Sequence, residues 1–243
     1  MIPKDHPRYK SLIIRERLSK CAMSGIVSLE GLTAHGRGEA FDYLIGEKTT
    51  ESALIAEKIA ANLLILANKP VISVNGNTCA LAAEAIAELQ KITGAYVEVN
   101  LFHRTEERVL KISNFLEGKG VSVLKGNVVK YLPLSHDRAL CFTEGIPKAD
   151  VVLVPLEDGD RCQALVEMGK TVITIDLNPL SRTARCARLT IVDELTRALP
   201  NIIRYAKEIK ERNNTTEIEE FDNFYFLQNA IDNMITRLNC ALD

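Results

Sequence analysis

The sequence predicts an α/β protein with a mainly parallel sheet flanked by helices and with further helices at both chain ends. Short runs rich in Val and Ile alternate with helical patterns of about ten to fifteen residues, as in βαβ units. Hydrophobic residues make up 47% of the 243 residues and charged residues 26%, which is enough for a sizeable core. Polar clusters follow several strands, where parallel sheets place their ligands.

The first part of the chain is expected to be helical. Residues 9–25 have apolar side chains at near-helical spacing and end in glycine, and residues 50–67 are rich in Ala and Leu. The charged segment 33–47 between them is not counted among the helices. Its Gly36 and Gly38 are interpreted as letting the backbone approach a ligand closely or take a positive φ.

The alternating part follows. Strands are expected at residues 71–74, 95–101, 121–123, 151–154, 171–178 and 189–192, and helices at 78–94, 106–117, 161–168 and 195–210. A polar break begins at Asn213, and an apolar stripe at helical spacing follows over residues 221–238, which must pack on the domain body or on a partner chain. We therefore predict one α/β domain over residues 1–212 and a helical extension over residues 213–243.

Composition excludes several classes of function. A formal charge of −2 argues against a nucleic-acid surface. No apolar run approaches the ~18 residues of a membrane span, and residues 1–20 lack the hydrophobic region of a secretory signal. The six cysteines form no CxxC pair, which indicates free thiols in a reducing cytoplasm and no structural metal. We expect a cytoplasmic protein without nucleic-acid or membrane partners.

Segment 33–47 is the first candidate for chemistry. It contains His35, Arg37 between two glycines, and three acidic residues. A guanidinium forms forked hydrogen bonds to phosphate or carboxylate groups. The segment is therefore expected to form an anion site.

Two polar clusters follow the first two strands. Asn75, Gly76 and Asn77 precede a helix, whose free amides and dipole favour an anion. An ordinary N-cap by Asn77 or Thr78 explains the cluster equally well. At the second strand exit, Asn100, His103 and Arg104 either face a ligand or lie in solvent around a helix start.

Two further clusters follow the later strands. Glu157, Asp158 and Asp160 repel one another unless a cation joins them, and Mg²⁺ carried on a phosphate is one candidate. An exposed acidic helix start is the alternative. The stretch 176–183 begins with an acid and continues with Asn, Ser, Arg and Thr, a set able to address a ribose and its phosphates.

Standard nucleotide and hydrolase motifs are absent from the sequence. It contains no Walker A pattern, no GxGxxG after the first strand and no GxSxG. These absences disfavour a P-loop kinase, a standard dinucleotide dehydrogenase and a serine hydrolase. Cys79 follows a helix start, but a small buried side chain is the favoured interpretation over a reactive thiolate.

Five segments together resemble a known family. GLTAHGRGEAFDYLIGE, PVISVNGN, EVNLFHRTEER, ADVVLVPLEDGDR and TVITIDLNPLSRTA, in this order and spacing, are similar to archaeal phosphopantothenate synthetases, also called 4-phosphopantoate–β-alanine ligases. The resemblance covers roughly residues 7–210. It implies a Rossmann-like homodimer that joins 4-phosphopantoate to β-alanine with ATP and Mg²⁺. The products would be 4'-phosphopantothenate, AMP and diphosphate, on the archaeal route to coenzyme A.

The resemblance also implies an ATP site. Its residues would be Arg15, Arg37, Asp176, Leu177, Asn178, Arg182, Thr183, Glu194 and Leu195. Family members more often carry asparagine at the position of Glu194, which puts a side-chain contact there in doubt. They often carry threonine or serine at the position of Cys162, a difference without an evident reason.

The expected chemistry assigns roles to the remaining residues. Activating a carboxylate by adenylation spreads negative charge over the α-phosphate, so arginines and Mg²⁺ are the expected stabilisers. β-Alanine must react as a neutral amine, and His35 and His103 are equal candidates for the base. The expected sets are His35, Arg37, His103 and Arg104 for catalysis, Asn75, Gly76, Asn77 and Arg104 for the substrate phosphate, and Glu157, Asp158 and Asp160 for Mg²⁺.

Two other functions are compatible with the residues. A non-catalytic nucleotide sensor would keep the arginines at the strand ends, but it would not need the acidic cluster at 157–160. A sugar-phosphate enzyme on a similar sheet would differ by not binding ATP.

Overall fold

The computed structural model describes residues 2–212 and 220–241, and it confirms the expected Rossmann-like α/β class. The central sheet has five parallel strands in the order β2-β1-β5-β6-β7. These strands are β1 (Pro70–Val74), β2 (Tyr96–Val99), β5 (Val151–Leu153), β6 (Thr171–Ile175) and β7 (Leu189–Ile191). The polar break expected from Asn213 lies outside the described residues.

Helices cover both faces of the sheet. They are α1 (Tyr9–Met23), α2 (Leu29–Ile45), α3 (Glu51–Leu66), α4 (Gly76–Thr93), α5 (Glu106–Glu117), α6 (Gly159–Glu167), α7 (Arg182–Cys186), α8 (Leu195–Arg212) and α9 (Asn223–Asn239). Side chains alternate along each strand, so both faces need cover. Ile72 and Ile173 enter the core beneath α3, α4 and α8, while Val71 and Val172 enter a second core with α6.

The charged segment 33–47 is almost entirely helical, which corrects its expected role as an irregular ligand segment. Ser28 caps α2 by accepting a hydrogen bond from the Gly31 amide, and Gly46 ends it in the left-handed conformation. Gly36 and Gly38 lie inside the helix and do not take a positive φ. Glycine lowers helix propensity, which concealed this helix in the sequence.

An antiparallel hairpin was not predicted. It consists of β3 (Val128–Lys130) and β4 (Leu140–Phe142), and a short turn between them carries Arg138. The strand expected at residues 121–123 is reduced to a single parallel bridge between Val97 and Val123. The hairpin lies at the carboxyl end of β2, so it adds side chains to the region where ligands are expected.

The C-terminal helix packs on the body of the domain. Helix α9 buries Phe226, Leu227, Ala230 and Met234, and it contacts α2, α3, α7 and β7. Leu227 and Met234 share a small core with Ile45 of α2. Of the predicted apolar stripe only Met234 is buried, whereas Phe224, Tyr225, Ile235 and Leu238 are exposed, so the choice between packing on the domain and packing on a partner chain stays open for that face. None of the helices in the described residues is long and apolar enough to span a membrane.

Candidate active site

A cleft of about 570 Å³ lies at the carboxyl ends of the sheet strands. Helix α2 forms one wall, and the turns after β1, β5, β6 and β7 form the opposite wall. This is the position at which parallel α/β sheets bind ligands. A wider depression of about 810 Å³ beside the amino end of β2 contains none of the expected site residues.

The cleft gathers most of the residues expected from the sequence. The expected residues that line it are His35, Arg37, Asn75, Gly76, Asn77, His103, Glu157, Asp158, Asp176, Leu177, Asn178, Arg182, Thr183, Glu194 and Leu195. Arg15, Arg104 and Asp160 do not line it. Six separate segments of the chain therefore converge on one cavity, and five of them follow strands of the sheet, as predicted.

Arg15 and Arg104 are engaged outside the cleft. Arg15 Nε donates to both carboxylate oxygens of Glu39 at 3.1 Å, so it ties α1 to α2. Arg104 Nη1 donates to the Val99 carbonyl oxygen at 3.3 Å, and its guanidinium lies 5.6 Å from the centre of the Phe142 ring. In this structure neither side chain reaches the cavity that the sequence assigned to it.

The NGN cluster at the start of α4 serves mainly to join segments. Asn75 is the N-cap, in place of the expected Asn77 or Thr78: its side chain accepts from the Thr78 amide at 2.9 Å. The Asn77 side chain donates to the Gly31 carbonyl of α2 at 2.8 Å. A Cβ at Gly76 would lie 2.4 Å from the Ile26 carbonyl oxygen, so glycine is required there by neighbouring backbone.

Two buried arginines neutralise the acidic turn at residues 157–160. Glu157 Oε1 lies 2.7 Å from Arg138 Nη1, and its other oxygen pairs with the fully buried Arg161. Arg138 Nη2 also lies 3.0 Å from Asp158 Oδ2. Burial raises the pKa of Asp158, and the Arg138 charge opposes this rise. The cation that the acidic cluster requires is therefore a pair of guanidinium groups.

The acidic turn does not fit the expected magnesium site. Asp160 faces away from the cleft and pairs with His136, with 2.8 Å between Oδ2 and Nε2. Both oxygens of Glu157 are bonded to arginines. Among residues 2–212 and 220–241, no three His, Cys, Asp or Glu side chains are placed to hold a metal ion. The prediction that Glu157, Asp158 and Asp160 converge on Mg²⁺ is wrong for this structure.

The turn after β6 is held rigidly by its own hydrogen bonds. Asp176 Oδ1 accepts from the Asn178 amide at 2.9 Å, and Oδ2 accepts from the Ser181 hydroxyl at 2.5 Å. Burial raises the pKa of Asp176, while these hydrogen bonds and the nearby charge of Arg37 lower it. Thr183 donates to the Glu157 carbonyl oxygen at 2.8 Å, which fastens this turn to the acidic turn.

Packing also fixes the position of Arg182. A Cβ at Gly159 would lie 2.6 Å from the Cβ of Arg182, so only glycine allows this approach. The Arg182 guanidinium donates to Gln163 Oε1 at 2.7 Å. Its exposed charge therefore stands at the cleft on the wall opposite Arg37.

Glu194 is occupied by the first turn of α8. Its Oε2 accepts from both the amide and the hydroxyl of Thr196, at 2.7 Å and 2.5 Å. Burial raises the pKa of Glu194, and these two hydrogen bonds oppose the rise. Its carboxylate is thus directed into the protein, which agrees with the doubt about a side-chain contact at this position.

Helix α2 presents His35, Arg37, Gly38 and Phe41 to the cleft. Burial lowers the pKa of His35, which favours the neutral imidazole. Two acids of this helix, Glu39 and Asp42, pair with cations outside the cavity, whereas Glu30 lines it. Glu39 bonds to Ser11 and Arg15, and Asp42 bonds to Arg197 of α8. Neither Glu39 nor Asp42 lines the cleft.

Two cleft arginines, Arg108 and Arg138, were missing from the predicted site. Arg108 donates to the carbonyl oxygens of His103 and Ile26, at 2.8 Å and 3.2 Å, and burial lowers its pKa. Its position in the first turn of α5, just after the exit of the second strand, was the signal available in the sequence. Arg138 lies on the unpredicted hairpin, so no sequence pattern placed it near the strand ends.

Known proteins are similar to this chain over its whole length. A family model described as phosphopantothenate/pantothenate synthetase matches residues 52–237. A 4-phosphopantoate–β-alanine ligase of Methanospirillum hungatei is 60% identical over 243 residues, covering 100% of both chains. That of Methanosarcina mazei is 56% identical over 95% of this chain and 92% of its own. That of Thermococcus kodakarensis is 49% identical over 98% and 93%, respectively. The chain belongs to the phosphopantothenate/pantothenate synthetase family.

Proposed function

We propose that this protein is an ATP-dependent ligase that condenses 4-phosphopantoate with β-alanine to give 4'-phosphopantothenate, AMP and diphosphate. The observation that carries the proposal is the pair Arg37 and Arg182, which stand on opposite walls of one cleft. The ligase names of the relatives supply the substrates. The reaction proceeds through an acyl adenylate, in which the carboxylate of phosphopantoate has attacked the α-phosphate and displaced diphosphate.

The nucleotide lies between helix α2 and the turns after β6 and β7. Asp176 and Asn178 face its ribose, and the backbone at Glu194 and Leu195 contacts its base. Arg37 and Arg182 meet the phosphate chain from the two sides, where charge develops as diphosphate departs. Donors that are already fixed in place need no reorganisation during the reaction. The hydrogen bonds of Asp176 and Thr183 fix the turn after β6, which carries Arg182.

The phosphate of phosphopantoate lies near the start of α4. Backbone amides at Gly76 and Asn77 and the dipole of α4 favour an anion there. Arg108 lines this part of the cleft and takes the place expected of Arg104. Arg104 then stabilises the carboxyl end of β2 through its hydrogen bond to the Val99 carbonyl oxygen, without contacting the phosphate.

His35, which lines the cleft on α2, is the base in this proposal. Its lowered pKa keeps the imidazole neutral and able to accept a proton near neutral pH. It would take the proton that β-alanine loses as its nitrogen attacks the adenylate. His103 also lines the cleft and remains the alternative.

Magnesium enters this proposal only as a partner of the ATP phosphates, because the acidic turn is already paired with arginines. A homodimer, which the family resemblance implies, stays a prediction. A cytoplasmic location also stays a prediction.

The direct test incubates purified protein with 4-phosphopantoate, β-alanine, ATP and Mg²⁺ and analyses the nucleotide products. AMP and diphosphate in equal amounts are the expected products. ADP and inorganic phosphate would contradict the adenylate mechanism. Nucleotide binding without turnover would favour a sensor, and absence of ATP binding would favour a sugar-phosphate enzyme.

A further inference from the structure

Arg197 lies outside the cleft and connects its two walls. Its Nη1 and Nη2 donate to the two oxygens of Asp42 on α2, at 3.0 Å and 2.6 Å. Its Nε and Nη2 donate to Asp193 Oδ1, in the turn between β7 and α8, at 2.9 Å and 2.6 Å. One guanidinium group therefore bridges carboxylates that are 151 residues apart in the sequence.

Both anchors of this bridge are buried and well fixed. Asp42 is 8% exposed and Asp193 is 1% exposed. Asp193 Oδ2 also accepts from the Thr49 hydroxyl at 2.6 Å, and Oδ1 accepts from the Glu194 amide at 2.8 Å. Bidentate ion pairs of this kind hold a defined geometry, which a single ammonium group cannot reproduce.

Each anchor lies next to residues of the cleft. Asp42 is one helical turn after Gly38 and directly follows Phe41, both of which line the cavity. Asp193 itself and the following Glu194 and Leu195 line it from the other wall. The distance between these two groups of residues is therefore set in part by Arg197.

Helix α2 depends on such polar ties because it buries little apolar surface. Asp42 and Ile45 are its only buried residues in the described structure. Helix α8, in contrast, buries Leu195, Leu199 and Ile202 in the main core. A side chain that fastens the weakly packed wall to the strongly packed one controls the width of the cleft between them.

We propose that Arg197 is a positioning residue that holds α2 at the correct distance from the nucleotide turn. This role rests on the proposed function, because it assumes that a nucleotide spans the two walls. Arg197 itself does not line the cleft. Its loss should therefore weaken nucleotide binding without changing the groups that contact the nucleotide.

The test compares Arg197→Gln, Arg197→Lys and Asp42→Asn with the unaltered protein. We expect the KM for ATP and the nucleotide Kd, measured by calorimetry, to rise about tenfold in each variant, because the substituted side chains act on the nucleotide only through the position of α2. Lysine should not rescue the glutamine variant, since it cannot bridge both carboxylates.

Two further variants complete the experiment. Arg204→Gln removes a half-exposed arginine of the same helix, paired with Glu208 at 3.3 Å, and should leave the nucleotide Kd unchanged. The double variant Asp42→Asn/Arg197→Gln should bind ATP no more weakly than Arg197→Gln alone, because both changes break one connection. If Arg197→Gln fails to fold, Asp42→Asn answers the question, because it keeps the Arg197–Asp193 pair.

The outcomes separate this inference from the proposed function. A lower melting temperature with unchanged nucleotide Kd and KM would overturn the positioning role and leave the ligase proposal intact. An unaltered protein that binds ATP but forms no AMP would overturn the ligase proposal, and the Kd ratios would still decide the role of Arg197. Failure of the unaltered protein to bind ATP would overturn both.

Discussion

The two walls of the cleft are held in place by different means. The turns after β1, β5, β6 and β7 continue from strands that are buried in the sheet, and hydrogen bonds within a turn and between neighbouring turns fix them. Helix α2 is held mainly by side chains from distant segments, through Glu39, Asp42 and Gly31. A rigid wall therefore faces one whose position depends on a few polar contacts.

This difference assigns different tasks to the two walls. Preorganised donors on the rigid wall can stabilise developing charge without moving. A wall attached by polar side chains can adjust when substrates enter or products leave, because regions with few buried apolar contacts open most easily. We therefore expect mutations in α2 to change ligand binding more than stability, and mutations beneath the strand ends to do the reverse.

Arg37→Ala should have the largest effect. Its side chain is exposed in the cleft, so the fold should be retained while kcat/KM falls by about 10²–10³, as on removing one oxyanion donor. The control is Arg185→Ala on α7, an exposed arginine that does not line the cleft. Near-normal turnover of the Arg37 variant would remove this residue from the phosphate site.

The two glycines of α2 offer a matched pair for the second prediction. A Cβ at Gly36 or Gly38 would meet no atom within 4 Å, so alanine at either helical position should stabilise the fold by about 0.5–1 kcal/mol. Only Gly38 lines the cleft. Gly38→Ala should therefore raise the KM for ATP about tenfold, since one extra methyl group overpacks a filled site.

Gly36→Ala serves as the control in the same assays. It should raise the melting temperature and leave the KM for ATP unchanged. Equal effects of the two substitutions on KM would mean that the nucleotide does not touch this face of α2.

The rigid wall could be predicted from the sequence, and the attached wall could not. Strands such as 71–74 are short apolar segments with polar residues after them. Because the strands are parallel, these polar residues meet at one edge of the sheet, where Asp176 and Thr183 are found. In α2, Gly36 and Gly38 weakened the helical pattern. Its ties, including Asp42 with Arg197, join residues far apart in the chain, and local patterns carry no information on such pairs.

The acidic turn illustrates the same limit. The sequence indicated that Glu157 and its neighbours need a cation, which is correct. It suggested Mg²⁺ because Arg138 lies on a hairpin with no strong strand pattern. Arg161 was assigned to a helix, but its complete burial depends on the packing of the whole domain.

Glu57 provides a test of the interior beneath the rigid wall. This carboxyl group is fully buried in α3, and burial together with the Asp193 carboxylate raises its pKa from 4.5 to about 9, against the opposing charge of Arg204. The folded protein therefore holds this proton more tightly than the unfolded chain does. The stability that the proton provides is present at low pH and is lost as pH rises from about 4.5 to about 9.

Glu57→Gln should remove this pH dependence, because the amide stays neutral. Unfolding by urea at several pH values should show that the variant gains stability relative to the unaltered protein as pH rises, by at most about 1.4 kcal/mol per pH unit. The KM for ATP at pH 7 should not change, since Glu57 is protonated there and lies outside the cleft. Parallel pH profiles for the two proteins would contradict the raised pKa.

Substitutions of the helix caps have the smallest expected effect. They separate the contribution of α2 to folding stability from its contribution to substrate binding. Ser28 caps α2 and Thr50 caps α3, each by accepting one backbone amide hydrogen bond, from Gly31 and Ala53. Alanine at either position should cost about 1 kcal/mol of folding free energy, measured by urea unfolding. Only Ser28→Ala loosens the first turn of α2. Only this variant should therefore also raise the KM for a substrate, by a few-fold. If Thr50→Ala raised KM equally, the adjustability assigned to α2 would extend to the whole domain, and the contrast between the walls would fail.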